Sequence, residues 1–320
     1  MSEYRAIIIV IDSMGIGAMP DCREFGDTPE CNTLKHVCEY NKGLKLPNLE
    51  ALGLGNMEQD FLGVKPVEKP LGYCATLTEK SKGKDTTTGH WEIAGLVSKR
   101  PFSTYPEGFP QEVINKFIEK TNCGGILANI PASGTKIIEQ LNDEHHRTKF
   151  PIVYTSADSV FQIAAHESVV SPEMLYDYCC TARKILTGKN GVGRVIARPY
   201  TGKKKGEFVR TSNRHDYAVE PTNPTTLTAL KEAGFDVISV GKIADIFCNV
   251  GITEGNHSDS SVHGMEQTID TADRDFTGLC FVNLVDYDML YGHRRDVDGY
   301  AKALTYFDDR LPEILDKMKP

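Results

Sequence analysis

The sequence predicts an α/β fold with a mostly parallel sheet, because short apolar runs alternate along the chain with helical patterns. The runs are rich in Ile and Val and are continuous rather than alternating, which is typical of strands covered on both faces. The predicted strands lie at residues 6–11, 151–155, 194–197, 236–240 and 280–285.

Helical periodicity fills the intervals between these strands. Residues 111–120 place their apolar side chains on one face, and residues 224–233 predict a helix that ends at Gly234. The last segment, 300–318, spaces its apolar residues at steps of four or three. It therefore predicts one long amphipathic helix, bent near Pro312.

The middle of the chain predicts a second domain. Residues 101–216 contain strands and helices of their own, and the chain enters and leaves them through polar segments with Gly and Pro. We therefore expect an inserted, smaller α/β domain at 101–216, with a core domain built from residues 1–100 and 217–320.

Composition excludes several classes of protein. An apolar fraction of 40% and a charged fraction of 25% are those of a folded globular chain, and a formal charge of -8 argues against nucleic-acid binding. No apolar run is long enough to cross a membrane or to act as a signal peptide. Nine cysteines without C-x-x-C spacing predict reduced thiols and a cytoplasmic protein.

Asp12 is the first candidate functional residue. It follows the first predicted strand and precedes a segment with glycines at 15 and 17. Ligands in open α/β sheets bind beyond the carboxyl ends of strands, so Asp12 is well placed for a metal. A cap on the next helix or turn is the alternative, and taken alone it is favoured. The two glycines do not complete a dinucleotide-binding fingerprint.

The second candidate is the run of threonines at 86–88, which lies in a segment typical of a helix start. A hydroxyl at a helix N-terminus can carry a phosphate, which the backbone N–H groups and the helix dipole favour. Coordination to a metal would lower the hydroxyl pKa enough for attack. A simple capping cluster explains the same residues, and this window alone does not decide between them.

Residues 283–296 form the third and strongest candidate. Asp288 and His293 lie five positions apart across a glycine, so both can meet one ion if the segment loops. Mixed oxygen and nitrogen ligands suit Mn²⁺, and Zn²⁺ less specifically. The alternative is a salt-bridged loop in which Asp286 and Asp296 pair with the neighbouring arginines.

Taken together, six windows resemble the phosphopentomutase family of the alkaline-phosphatase-like superfamily. They are ordered along the chain, long and specific, and the resemblance covers essentially all of the sequence. The windows are IDSMGIGAMPD, GKDTTTGHWEIAGL, YTSADSVFQIAAHE, GRVIARPY, RTSNRHDYA and NLVDYDMLYGHRRD.

The resemblance implies a core α/β domain with two Mn²⁺ ions and a cap domain over the cleft, with Mg²⁺, Zn²⁺ or Co²⁺ as alternative metals. Asp12 would bind one ion, and Asp288 with His293 would contribute to the other. Thr86 matches the phosphate-carrying nucleophile, which also contacts the metals.

Four further positions match those that the resemblance links to substrate recognition. They are Asp158, Arg194, Arg210 and Lys242. The implied reaction interconverts ribose 1-phosphate and ribose 5-phosphate, or the deoxyribose analogues, through a phosphothreonine and a sugar bisphosphate that also primes the enzyme. Small pentose phosphates would be its partners and nucleoside salvage its pathway.

One departure from the family leads to alternative functions. Family members continue past the last helix into a strand that ends in an Asp-His pair, with a further His downstream, and all three are expected metal ligands. Here the sequence ends at Pro320. We therefore expect an incomplete copy with weak metal binding and little mutase activity. The alternatives are a vestigial sugar-phosphate-binding protein and a related phosphatase or phosphoglycerate mutase.

Overall fold

A computed structural model describes residues 4–318, which form two compact units. The first unit contains the described residues up to Ser98 and those from Pro221 onward, and the second comprises Lys99–Glu220. The predicted insert, 101–216, lies within the second unit.

Both units contain strands and helices. The strands, in chain order, are β1 (Arg5–Ile11), β2 (Leu127–Pro131), β3 (Ile152–Thr155), β4 (Val160–His166), β5 (Arg194–Thr201), β6 (Val209–Arg210), β7 (His215–Ala218), β8 (Asp236–Val240), β9 (Glu254–Asn256) and β10 (Gly278–Leu284). The α-helices are α1 (Thr33–Tyr40), α2 (Pro47–Leu52), α3 (Thr86–Ile93), α4 (Gln111–Thr121), α5 (Gly134–Thr148), α6 (Pro172–Ile185), α7 (Thr226–Glu232), α8 (Ile243–Ile246), α9 (Ser261–Asp273) and α10 (Val297–Lys317).

The sheet of the first unit has the order β1-β10-β8-β9, and every pair in it is parallel. Its carboxyl ends lie at one edge, where Ile11 pairs with Leu284 and Val240 with Val282. Among residues 4–318, β1 has a strand neighbour on one side only, and its apolar side chains are half-buried.

Helices cover both faces of this sheet, as the continuous apolar strands require. On β10, Cys280, Val282 and Leu284 pack in the same core as α1, α9 and α10. The alternate residue Phe281 instead faces Phe247, which follows α8. The predicted α/β fold with a parallel sheet is therefore confirmed.

The predicted C-terminal helix is α10, which begins at Val297 and contains Pro312. Its buried face includes Leu304, Phe307 and Leu311. The same face carries Asp308, whose side chain is fully buried.

Asp308 caps α2 from outside that helix. Its carboxylate accepts hydrogen bonds from the backbone N–H of Leu49 (2.7 Å) and of Asn48 (3.1 Å). The N-cap position of α2 is Leu46, which has no side-chain acceptor. The carboxylate on α10 thus satisfies orphan donors that the local sequence leaves open.

The sheet of the second unit is mixed rather than parallel. Its order is β2-β3-β4-β5-β6, with β7 also paired to β5. The pairs β2/β3 and β4/β5 are parallel, and the remaining pairs are antiparallel. One apolar core contains residues of α4 and α6, and a separate one contains residues of α5.

No helix within residues 4–318 combines the length and the apolar character needed to cross a membrane.

Candidate active site

Three of the predicted site segments follow strands at the carboxyl edge of the first unit's sheet. Asp12 comes directly after β1, Lys242 follows β8, and Asp288 lies in the turn after β10. Parallel pairing of these strands brings the three segments to the same edge.

Asp12 is a half-buried carboxylate with charged neighbours. Burial raises the pKa of Asp12, and the negative charge of Asp288 raises it further. His90, the amide of Asn283 and the ammonium group of Lys242 lower the pKa of Asp12, and these three groups therefore also lie close to it.

Thr86 is the first residue of α3, and Asp85 is the N-cap. The Asp85 carboxylate accepts the Thr88 N–H at 3.0 Å and the Thr88 hydroxyl at 2.7 Å. Thr88 is buried and belongs to the cap, whereas Thr86 is exposed, and its hydroxyl has no hydrogen-bond partner among the described residues. Thr88 therefore has the capping role that the alternative interpretation predicts, and the Thr86 hydroxyl is free of that role.

His90 connects the first turn of α3 to the sheet. Its Nδ1 donates to the carbonyl oxygen of Thr86 at 2.8 Å, which fixes the proton on that nitrogen. Its Nε2 then accepts from the Asn283 amide on β10 at 3.1 Å. Burial lowers the pKa of His90, in keeping with a neutral ring that both donates and accepts.

Asp288 and His293 meet because the segment between them is a π-helical turn, Tyr287–Gly292. The His293 N–H donates to the Asp288 carbonyl oxygen at 2.9 Å. The imidazole Nε2 lies 3.3 Å from the Asp288 Oδ2. The two side chains are therefore close enough to contact one ion.

The salt-bridged alternative for this loop is absent from the described residues. The Asp286 carboxylate accepts the Ser261 N–H at 2.7 Å, while Asp296 caps α10 through the Gly299 N–H at 2.9 Å. Each carboxylate thus anchors a helix start. Neither forms an ion pair with the arginines at 294 and 295 within the part of the chain that the structure describes.

Tyr300 of α10 forms hydrogen bonds with the segment that contains Asp12. Its hydroxyl lies 3.2 Å from the Asp12 carbonyl oxygen, to which it donates, and 3.3 Å from the Ser13 hydroxyl. Its ring also packs at 5.4 Å from that of Tyr287, at the start of the turn that carries Asp288. Tyr300 therefore links the two predicted metal-binding segments.

The donor groups fit a divalent cation, and they supply only part of a ligand set. Two carboxylates and an imidazole are the oxygen and nitrogen ligands that Mn²⁺ or Zn²⁺ accept. Burial is the main cause of the raised pKa of Asp12, and the nearby charge of Asp288 adds to it; a bound cation would favour the ionised carboxylate against both. Within residues 4–318, however, no three His, Cys, Asp or Glu side chains surround a common point at metal-ligand distances.

The remaining predicted residues lie in the second unit. Asp158 is exposed in the turn between β3 and β4. Arg194 begins β5 and lies 3.5 Å from Asp216, and Arg210 is exposed on β6. Predicted substrate-binding residues are therefore distributed over both units.

Three residues of the first-unit site were not singled out from the sequence: His90, Asn283 and Tyr300. The spacing of four between Thr86 and His90 on one helix is the signal that could have identified His90. Asn283 and Tyr300 carry no local signal, because their contacts join segments more than 190 positions apart.

Comparison with known proteins identifies the family of this chain. The model of the metalloenzyme superfamily matches residues 4–320. The phosphopentomutase of Caldanaerobacter subterraneus subsp. tengcongensis is 55% identical over 98% of this chain and 79% of its own length. That of Acetivibrio thermocellus is 52% identical over 98% of this chain and 80% of its own.

A further relative and one solved structure extend the comparison. The phosphopentomutase of Agathobacter rectalis is 54% identical over 100% of this chain and 81% of its own length. The structure of the PH0037 protein from Pyrococcus horikoshii gives a TM-score of 0.40 at 14% identity, covering 98% of this chain and 78% of that one, too low to add to the assignment. By family model and by identity over nearly its whole length, the chain belongs to the phosphopentomutase family of the metalloenzyme superfamily, whose members are metal-dependent enzymes.

Proposed function

We propose that this protein interconverts ribose 1-phosphate and ribose 5-phosphate, and the deoxyribose analogues, through phosphorylated Thr86. One observation carries the assignment of the nucleophile. Of the three threonines, Thr88 is held in the helix cap and Thr86 presents an exposed hydroxyl at the positive end of α3.

Two divalent ions, which we propose to be Mn²⁺, complete the site. Asp12 would hold one ion, and Asp288 with His293 would contribute to the other, beside the Thr86 hydroxyl. When bound, such ions neutralise the charge of the transferring phosphoryl group and lower the pKa of the hydroxyl.

The protein's own groups then position the reacting atoms. His90 holds the Thr86 carbonyl from one side and the Asn283 amide from the other, which fixes the first turn of α3 relative to β10. The Lys242 ammonium, close to Asp12, adds positive charge near the phosphoryl oxygens.

In the proposed cycle, phosphoryl groups and protons are conserved without any consumed co-reactant. The bond between phosphorus and the Thr86 Oγ breaks as a bond to the free sugar hydroxyl forms, and that hydroxyl loses its proton. The resulting bisphosphate returns its other phosphoryl group to Thr86, and the hydroxyl released at that carbon regains a proton. A sugar bisphosphate is needed once, to charge the threonine.

Asp158, Arg194 and Arg210 are proposed to recognise the sugar phosphate from the second unit, as an inserted cap domain. Cytoplasmic location and a role in nucleoside salvage belong to the same proposal.

Intact-mass measurement tests the nucleophile. Incubation with ribose 1,5-bisphosphate and Mn²⁺ should add one phosphoryl group to the wild-type protein and to Thr87→Ala, and none to Thr86→Ala. Equal phosphorylation of Thr86→Ala would reject Thr86 as the nucleophile.

A product assay distinguishes the proposed reaction from its rivals. Ribose 1-phosphate should appear from ribose 5-phosphate without inorganic phosphate. Release of inorganic phosphate alone would indicate a phosphatase, and binding of ribose 5-phosphate without turnover would indicate a sugar-phosphate-binding protein that has lost catalysis.

A further inference from the structure

We propose that Glu92 is a positioning residue for phosphoryl transfer: its carboxylate closes the segment that leads into Thr86 back onto α3 and so fixes the place of the Thr86 hydroxyl. The role of Thr86 as nucleophile rests on the proposed function, and the closure of the segment does not. Glu92 lies on α3 itself, in the last turn of the helix. Its sequence pattern predicted no role for it.

Glu92 accepts two backbone hydrogen bonds from residues that precede α3. Its Oε1 accepts the Lys80 N–H at 2.7 Å, and its Oε2 accepts the Ser81 N–H at 2.9 Å. Both carboxylate oxygens are therefore used on consecutive amides of one segment. Hydrogen bonds to an ionised carboxylate are about twice as strong as those between neutral groups. The helix thus holds its own entry segment through a charged, bidentate contact.

Ser81 adds a second closure at the same place. This residue is buried, and its hydroxyl accepts the Ser98 N–H at 2.8 Å. The next residue, Lys82, donates its N–H to the Ser98 carbonyl oxygen at 2.9 Å. Residues just before and just after α3 are therefore joined to each other. The helix and its flanking residues form a closed loop, with Thr86 at the N-terminal end of the helix.

The chain that precedes this closure is loosely packed. Residues 73–81 form neither helix nor strand, and the side chains of Leu71, Tyr73 and Leu77 are exposed. Glu92 binds the chain at the point where it turns toward α3. Displacement of the exposed segment would therefore reach the start of α3 if this contact were lost.

Residues 82–85 connect the closure to Thr86, and they pack on the helix start. A Cβ atom built on Gly83 would lie 2.7 Å from the Thr88 Oγ1 and 3.0 Å from the Asp85 Oδ2. The Gly83 backbone therefore lies directly against the cap of α3. A shift of the entry segment would be transmitted through this contact to the first turn of the helix, which contains Thr86.

Ion pairs contact the other side of the same segment. The Lys84 ammonium donates to the Asp27 carboxylate at 2.9 Å and to the Phe25 carbonyl oxygen at 3.0 Å. Lys82 lies 3.5 Å from Glu24, and both side chains of this pair are exposed. Exposed ion pairs contribute little to stability, so Glu24 is a suitable control for Glu92.

Glu92 is half-buried, and its charge is stabilised by its hydrogen-bond donors. Burial raises the pKa of Glu92, but hydrogen bonds from Ser81 and Lys80 lower it by more, so it lies below the ordinary glutamate value. A glutamine at this position keeps one acceptor and turns the other into a donor, which would face a backbone N–H. Glu92→Gln therefore breaks the bidentate contact with almost no change in volume.

Amide hydrogen exchange tests the closure without catalysis. In metal-free protein, Glu92→Gln should speed exchange about tenfold at Lys80 and Ser81 and also at Thr88, whose N–H donates to the cap residue Asp85. Glu24→Gln should leave these amides unchanged. Faster exchange at residues 80 and 81 with an unchanged Thr88 would overturn the proposal, because the loosening would not reach the helix start.

Phosphorylation kinetics test the positioning role. With ribose 1,5-bisphosphate and Mn²⁺, the rate of Thr86 phosphorylation per folded molecule should fall about tenfold in Glu92→Gln, since the hydroxyl is no longer held in line. The bisphosphate concentration at half-maximal rate should stay within about twofold, because Glu92 does not contact the sugar phosphate. Glu24→Gln should match the wild type. A wild-type rate in Glu92→Gln would reject the positioning role.

Two glycine variants keep the test decisive if Glu92→Gln folds poorly. Gly83→Ala places a methyl group against Thr88 and Asp85 and should slow phosphorylation of Thr86. Gly89→Ala adds the same methyl group on α3, where it would meet no atom of the described residues within 4 Å, and should keep the wild-type rate. Equal rates in the two variants would contradict a role for the entry segment.

The proposed reaction and the role of Glu92 can fail separately. Phosphorylation of Thr86→Ala at the wild-type level would reject the nucleophile and leave the exchange result for Glu92 in force. Phosphorylation confined to Thr86, with a wild-type rate in Glu92→Gln, would keep the proposed function and reject the positioning role.

Discussion

The imidazole Nδ1 of His90 donates a hydrogen bond to the carbonyl oxygen of Thr86, one helical turn earlier, at 2.8 Å. The other ring nitrogen accepts from the Asn283 amide at 3.1 Å. The first turn of α3 and strand β10 are thus joined through a single neutral ring.

His90→Asn should slow phosphoryl transfer and lower stability. Asparagine can still donate toward Thr86, but it cannot reach Asn283, whose buried amide would lose its acceptor. A buried polar group left unpaired costs about 1–3 kcal/mol. Urea unfolding and the rate of Thr86 phosphorylation measure the two effects.

His36→Asn is the control for His90, because His36 is an exposed histidine on α1. It should change neither quantity. A His90 variant with wild-type phosphorylation kinetics would show that the ring does not position Thr86.

Tyr300→Phe should weaken Mn²⁺ binding. The Tyr300 hydroxyl supports the Asp12 carbonyl and contacts Ser13, which has a left-handed backbone conformation with φ of 61°. Burial raises the pKa of Tyr300 to about 12, so the hydroxyl remains a donor at neutral pH. Electron paramagnetic resonance of free Mn²⁺ should show an affinity reduced by about fivefold, equivalent to about 1 kcal/mol.

Tyr287→Phe is the matched control for Tyr300. Its hydroxyl donates to the Ala303 carbonyl oxygen at 2.7 Å, within the protein and away from Asp12. This variant should lose stability but retain Mn²⁺ affinity. If both variants bind Mn²⁺ equally well, Tyr300 has a structural role only.

Asp308→Asn should destabilise the first unit by about 2 kcal/mol, since one of two charge-assisted acceptors for the α2 amides becomes a donor. Chemical denaturation followed through Trp91, which lies in the same unit, would measure the loss. The adjacent, exposed Asp309→Asn should cost less than about 0.5 kcal/mol. Similar losses in the two variants would refute the capping role.

The second unit should lose stability in acid because of His145. This histidine is fully buried; its Nδ1 donates to the Phe150 carbonyl oxygen at 2.7 Å and its Nε2 accepts the His166 N–H at 3.0 Å. Burial lowers the pKa of His145 to about 4 from the ordinary histidine value of 6.5, and nearby His146, His166 and Lys149 act in the same direction.

Between pH 6.5 and about 4, His145 is therefore protonated in the unfolded chain and neutral in the folded chain. Unfolding free energy should fall as pH decreases through this window, by about 3 kcal/mol in total. Hydrogen exchange of the β4 amides across this pH range would measure it. His145→Gln should flatten the dependence relative to wild type, and an unchanged slope would exclude His145 as its cause.

The fold class could be predicted from the sequence because its cause is local composition. Continuous Ile and Val runs indicate doubly covered strands wherever they occur, and β1, β8 and β10 lie where those runs predict. The mixed pairing of the second unit's sheet could not be predicted in this way, since a run of apolar residues does not encode strand direction.

In the candidate site as well, contacts between residues close in sequence could be predicted and contacts between distant segments could not. Asp288 and His293 are neighbours in sequence, so their proximity follows from one turn. The cap on α2 comes from Asp308, about 260 positions away, and no local sequence pattern predicts it. Thr86 and Thr88 are chemically identical in the sequence, and only their surroundings distinguish a capping hydroxyl from an available one.

The pairing of β1 with β10 also has a consequence for biosynthesis. Arg5 pairs with Gly278, so β1 meets its partner strand only after a further 273 residues have been synthesised. At roughly 5–20 residues per second, that interval lasts roughly 14–55 s. The contiguous second unit can assemble during this time, while the apolar β1 remains without a partner. Newly made chains should therefore depend on chaperones that shield this N-terminal segment until β10 has been synthesised.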